Sequence, residues 1–122
     1  MTTILIIDDS PTELHLFQNM LEKVGFSTLV ADSGEDGLRQ AKASRPDVIL
    51  MDVVMPGMNG FQATRKLTQD PRTSDIPVIM ITTKDQETDR IWGLRQGARD
   101  YVVKPPVQAE FLAKVDALLE SA

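Results

Sequence analysis

Five short apolar runs recur along the chain: Ile4-Leu5-Ile6-Ile7, Thr28-Leu29-Val30-Ala31, Val48-Ile49-Leu50-Met51, Val78-Ile79-Met80-Ile81 and Asp100-Tyr101-Val102-Val103. Each is too short for a helix, rich in β-branched residues and bounded by charged or turn-forming residues, so each reads as a buried strand. The stretches between them carry apolar residues at helical spacing. Ser10-Pro11-Thr12-Glu13 reads as a capping box with proline at the first helical position. The helix it opens buries Leu14, Phe17, Leu21 and Val24 and closes at Gly25. Ser33 with Asp36 starts a second helix, which turns Leu38 and Ala41 inward and is broken after Ser44 by Arg45-Pro46.

A third helix from about Phe61 to Gln69 buries Phe61, Leu67 and either Thr64 or the aliphatic part of Arg65, and the stretch from Pro71 to Pro77 is a turn region. The fourth runs from Lys84 to Gln96 with a thin core stripe of Ile91, Trp92 and Leu94. The last buries Phe111, Leu112, Val115, Leu118 and Leu119. Strands alternating with helices predict an α/β fold, a doubly wound five-stranded parallel sheet with five helices on its two faces. Right-handed crossovers with one reversal of winding give the strand order 2-1-3-4-5.

The 122 residues suffice for one core, so a single domain over residues 1–122 with no effector domain is expected. A net charge of −5 argues against nucleic acid and against anionic membrane surfaces. With no cysteine, disulfides and thiolate chemistry are excluded. No apolar run is long enough for a signal peptide or a membrane span, and the cytoplasm is the expected location. His15 lies off the core stripe of its helix and reads as a surface residue.

Candidate chemistry gathers where the strands end. The first run stops at Asp8-Asp9, the third at Asp52, the fourth at Thr82-Thr83 and the fifth at Lys104-Pro105-Pro106. In the expected order the first and third strands are neighbours at the switch point, which brings the three aspartates together at the edge where open α/β sheets bind ligands. Like charges at ~4 Å repel by about 4 kcal/mol at an effective dielectric near 20, so a cation is needed. Mg2+ suits such oxygen donors, with Asp9 and Asp52 as direct ligands and Asp8 acting mainly through water. Lys104 and Thr82 add an ammonium and a hydroxyl, and a carboxylate so surrounded can attack phosphorus to give an aspartyl phosphate. No glycine-rich phosphate loop is present, which argues against a nucleotide donor.

Asp8-Asp9, the run Asp52-Val53-Val54-Met55-Pro56 with Gly60, Thr82, and Lys104-Pro105 together resemble the receiver domain of two-component response regulators, the CheY-like family, over the whole chain. The resemblance implies a flavodoxin-like sheet. It assigns Asp52 as phosphoacceptor from a sensor histidine kinase of chemotaxis type, and a Mg2+ pocket of Asp8, Asp9, Asp52 and the Val54 backbone carbonyl. Thr82 and Lys104 would contact the phosphoryl group, with a cis peptide bond between Lys104 and Pro105. Thr82 and Tyr101 would form the switch, Tyr101 turning inward on phosphorylation. Output would pass through the face of the fourth helix, fifth strand and fifth helix to a partner such as a pilus motor, the chain itself being a monomer that catalyses only its own phosphorylation and dephosphorylation.

Thr83 stands where the family usually has alanine, and Pro106 where an apolar or aromatic residue is common; Val54 and Lys84 flank the pocket mouth. Thr83 and Lys84 are therefore expected to tune phosphoryl lifetime. The stretches Phe61–Thr64 and Thr82–Tyr101 further resemble stand-alone regulators of the chemotaxis-like pathway that controls type IV pili and twitching motility. Trp92 lies on the output face, where half-buried packing and a partner anchor are both open. The competing function is a Mg2+-dependent phosphohydrolase working through an aspartyl phosphate. Such enzymes separate the two acidic residues of the first strand, which here are adjacent, and they need a cap this chain lacks. A phosphate sink or a chemically silent interaction module is the remaining alternative.

Overall fold

The computed structural model describes residues 1–120. Strands and helices alternate as β1 (Thr3–Ile7), α1 (Pro11–Glu22), β2 (Ser27–Ala31), α2 (Gly34–Ser44), β3 (Val48–Met51), α3 (Gly60–Gln69), β4 (Val78–Thr82), α4 (Glu87–Arg95), β5 (Asp100–Val103) and α5 (Gln108–Glu120). All strand pairs are parallel, in the order β2-β1-β3-β4-β5. The expected order is therefore the observed one, with β1 and β3 in register from Ile4↔Val48 to Ile7↔Met51.

Successive strand residues point to opposite faces, and each face has its own core. Leu5, Ile7, Ile49, Met51 and Val78 pack against Ala41 of α2 and Ala63 and Leu67 of α3. Ile4, Ile6, Val48, Leu50, Ile79 and Ile81 pack against Phe17 and Leu21 of α1 and Phe111 and Val115 of α5. The Phe17 and Phe111 rings meet edge to face with centroids 5.5 Å apart, a geometry that adds about 1 kcal/mol to simple burial. β1 and β3 lie under both cores, so the edge where they end is held by the most enclosed part of the molecule. No helix among the described residues is long and apolar enough to cross a membrane.

Several local expectations need correction. α1 ends at Glu22, and Val24 is 52% exposed. The chain reverses at Gly25 (φ +96), so Val24 falls beyond the last turn that faces the sheet, and Phe26 packs there instead. Only half of the α1 capping box forms. The Ser10 hydroxyl accepts from the Glu13 amide, while the Ser10 amide donates to Asp8 Oδ1 at 2.9 Å, because that carboxylate is nearer than the Glu13 side chain. In α3 it is Thr64 that is buried, and Arg65 is exposed. α4 begins at Glu87 rather than Lys84, and Ile91 and Trp92 are 42% and 49% exposed rather than forming a core stripe. Its buried contact is Gly93.

Candidate functional site

The four strand ends meet at one pocket. Asp52 follows β3, its amide donating to the Ile7 carbonyl at 2.9 Å, and Asp8 follows β1, its amide donating to the Ala31 carbonyl at 3.1 Å. These bonds continue the parallel ladders one residue past the strands, which fixes both aspartates to the sheet rather than to free loops. Asp8 and Asp52 are buried and Asp9 is exposed, and one carboxylate oxygen from each lies within 4.8 Å of the others. The donor set is all oxygen, which suits a hard divalent cation such as Mg2+ better than a softer metal.

Lys104 reaches the same point from the end of β5. Its amide donates to the Thr82 carbonyl at 2.8 Å, and the peptide bond to Pro105 is cis. Its Nζ lies 2.9 Å from Asp8 Oδ2, 3.5 Å from Asp52 Oδ1 and 3.8 Å from Glu13 Oε2. Burial alone would lower the Lys104 pKa, but the hydrogen bond to Asp8 and the charges of Asp52, Asp8 and Glu13 raise it above the usual value. Glu13, which the sequence offers only as a capping-box residue, joins the pocket through Lys104. Its signal was there in retrospect, since a first-turn acid on a helix that starts right after Asp8-Asp9 must sit over the same sheet edge.

Burial, and after it the charge of Asp8, push the Asp52 pKa up to about 6, against the pull of Lys104. Near neutral pH Asp52 is still mainly ionised, so it is a carboxylate held in unfavourable surroundings. Thr82 is fully buried, and its hydroxyl accepts the Lys84 amide at 3.2 Å. Lys84 itself turns away from the carboxylates, with Nζ 3.7 Å from Asp89 Oδ1. Its carbonyl accepts the Tyr101 hydroxyl at 2.8 Å, and Tyr101 lies inward, 7% exposed. Burial, then the charges of Asp89 and Asp85, push that phenol up to about 12.

Two shallow clefts flank the pocket. One, about 190 Å³, is lined by Val53, Val54, Met55, Asn59, Phe61 and Lys84. The other, about 230 Å³, is lined by Glu13, Leu16, Thr83, Lys104, Pro105 and Pro106. A roomier cleft of about 440 Å³ runs along α3 past Met58, Arg65 and Lys66, but it lacks the converging acids and ammonium. The chemistry, not the volume, marks the strand-end pocket. The sheet thus brings Asp8, Asp9, Asp52, Thr82 and Lys104 together, while Tyr101 lies one shell away and Trp92 stands apart on the surface.

The sequence profile of the response regulator receiver domain matches residues 4–116. The chain is 58% identical over 119 residues to Protein PilH of Pseudomonas aeruginosa, covering 98% of each. It is 37% identical to the transcriptional regulatory protein PhoP of Bacillus subtilis, spanning 95% of this chain but 48% of that one. Among solved structures, a response regulator from Chloroflexus aurantiacus superimposes with a TM-score of 0.93 at 32% identity, covering 98% of both chains. Chemotaxis protein CheY4 of Vibrio cholerae does so with a TM-score of 0.91 at 28% identity, covering 98% and 99%.

Proposed function

The chain belongs to the response regulator receiver domain family, and from that premise we propose that it is a phosphorylation switch whose acceptor is Asp52. The observation that carries this reading is the convergence of Asp8, Asp9 and Asp52 with Lys104 at the edge where β1 and β3 end. An Asp52 carboxylate oxygen attacks the phosphorus of a phosphohistidine on a sensor histidine kinase. The P–O bond forms as the P–N bond breaks, and the imidazole leaves with the electron pair. Attack of water on the same phosphorus later breaks that P–O bond, releases inorganic phosphate and restores the carboxylate.

Each residue has a role in that exchange. Asp52 is predominantly ionised near pH 7 and so is nucleophilic, and its burial keeps competing water away. Lys104, already within 3.5 Å of Asp52, offsets negative charge on the phosphoryl oxygens. The Thr82 hydroxyl, whose oxygen accepts the Lys84 amide, supplies its own O–H as a donor to them. Asp8, Asp9, Asp52 and the Val54 carbonyl are the groups that would hold Mg2+, which would supply further neutralisation of phosphoryl charge. Thr83 and Lys84, at the pocket rim, tune the lifetime of the phosphorylated form.

A phosphoryl group adds a charge of roughly −1.5 to −2 and strong acceptor oxygens. That charge favours one of two packings of Thr82, Tyr101 and the β4–α4 connection, and the α4–β5–α5 face then changes its affinity for a partner protein. Ile91, Trp92, Val103 and Val107 are exposed there, a patch suited to protein contact rather than to solvent. The match to PilH over 98% of both chains supports a place in the chemotaxis-like pathway that controls type IV pili, with a pilus motor or similar output protein as partner.

The deciding experiment measures intact mass and Trp92 fluorescence with acetyl phosphate, with and without Mg2+, for the wild type and Asp52→Asn. One Mg2+-dependent phosphoryl adduct on the wild type alone is expected. A folded wild type that gains no adduct would overturn the reading and leave a chemically silent interaction module.

A further inference from the structure

A third, small core joins the strand-end pocket to the α4 face. Val53, next to Asp52, belongs to it together with Met80, Ala98 and Tyr101, and Phe61 packs against them. Tyr101 stands on edge strand β5, yet its ring is enclosed and its hydroxyl holds the Lys84 carbonyl. The gap that admits the ring is opposite Gly93, the buried residue of α4. A Cβ built on Gly93 would stand 3.1 and 3.3 Å from Tyr101 Cδ2 and Cε2, and 2.6 Å from Met80 Sδ. Carbon atoms pack best at about 3.5–4.0 Å, so a single methyl group here would crowd ring and thioether together.

The two neighbours are not equally free to yield. Met80 is fully buried on inner strand β4 with sheet on both sides. Tyr101, at the sheet edge, can leave by rotating about its first side-chain torsion into solvent. The Met80 thioether, the closest atom at 2.6 Å, must shift first, and because it shares its small core with Tyr101 the room it takes is the ring's. At the sheet edge the ring is the group that can leave.

We propose that Gly93 is a positioning residue for the switch: by having no side chain it makes the slot that Tyr101 fills, and so decides whether the inward form exists. From that slot the effect runs through hydrogen bonds already described. Tyr101 fixes the Lys84 carbonyl at 2.8 Å, and the amide of the same residue donates to the Thr82 hydroxyl at 3.2 Å. Gly93 on the buried side of α4 and Thr82 beside Asp52 thus act on one peptide segment from its two ends. An added methyl at residue 93 biases the pair toward the outward form before any partner binds. The switching consequence rests on the receiver reading; the position of the ring does not.

The chain has a single tyrosine, so labelling with 3-fluorotyrosine gives one ¹⁹F resonance that reports Tyr101 alone. On the protein without phosphodonor, the wild-type resonance is expected to resist broadening by a soluble paramagnetic agent. In Gly93→Ala, with helical content checked by circular dichroism, broadening is expected to rise several-fold. A Gly93→Ala ring as shielded as the wild type's would overturn the proposal, since a merely structural glycine would change stability without moving the resonance. The second arm is a double-variant cycle on the rate of acetyl phosphate labelling. Any change that Gly93→Ala makes is expected to vanish in a Tyr101→Ala background, and persistence there would show that Gly93 acts by another route. Failure of labelling in every variant would instead fell the receiver reading, and the ¹⁹F result would still stand or fall separately.

Discussion

Two of the helices that follow pocket strands, α3 and α4, are built differently. α3 follows β3 and Asp52, and its start is pinned three times. The Asn59 side chain accepts the Gln62 amide, the Gln62 side chain accepts the Asn59 amide, and the Gly60 amide donates to the Val53 carbonyl. It then buries Gly60, Ala63, Thr64 and Leu67. α4 follows β4 and Thr82, makes no side-chain cap bond, and buries Gly93. Its approach is held by the Thr82, Tyr101 and Lys84 contacts instead. The difference separates two duties. The helix beside Asp52 is over-determined and keeps that carboxylate in a strained, partly desolvated place, whereas α4 is held by few contacts that can be exchanged.

Glycine substitutions give the widest separation between the two. A Cβ at Gly60 would meet the Asp52 carbonyl oxygen at 2.1 Å and Val53 Cα at 2.8 Å, and backbone cannot step aside as a side chain can. Gly60→Ala is expected to cost about 3 kcal/mol in urea unfolding. Gly93→Ala is expected to stay within about 1 kcal/mol of the wild type, because the better helix propensity of alanine offsets the displaced ring. Equal losses at both positions would erase the contrast.

The strain carried on the α3 side can be read from pH. Asp52 has a folded pKa of about 6, above its ordinary value of 3.8, chiefly through burial. The folded state therefore holds that proton more tightly than the unfolded one. This contribution to stability is fully present below about pH 4 and is lost as pH rises through about 6. At ~1.36 kcal/mol per unit the ionised form would cost about 3 kcal/mol, reduced by solvent screening to about 1–2 kcal/mol. In Mg2+-free buffer Asp52→Asn should then unfold at higher urea than the wild type at pH 7, with the advantage shrinking toward pH 4. A pH-independent difference would show that Asp52 is not strained.

Caps make the smallest and sharpest comparison. Asn59→Ala removes the cap bond to the Gln62 amide and should cost about 1 kcal/mol. Gln86→Ala, at the uncapped start of α4, should cost under about 0.5 kcal/mol. Thermal or urea melts of the two variants side by side test this directly.

Much of this was legible in order along the chain. The β-branched runs named the strands, and the residues at their ends named the pocket, because a chain that alternates strand and helix has few sheet orders open to it. Asn59-Gly60 has the form of a turn and Asn59-x-x-Gln62 that of a capping box, and both hold: the turn ends where the helix begins. Periodicity failed at Val24, Ile91 and Trp92 for one reason. Hydrophobicity records what a residue could bury, not which way its helix is rotated or where its last turn stops.

The sequence by itself therefore determined the alternation of elements, the sheet order and the gathering of Asp8, Asp9, Asp52, Thr82 and Lys104, since local propensity and chain-crossing rules suffice for these. Only the tertiary structure decided that Glu13 shares the Lys104 ammonium, that Lys84 faces Asp89 rather than the acids, and that α4 meets the core through a glycine. Those outcomes depend on distances of a few ångströms between side chains remote in sequence, and they are set by how helices dock on a sheet. No pattern along one chain carries that information.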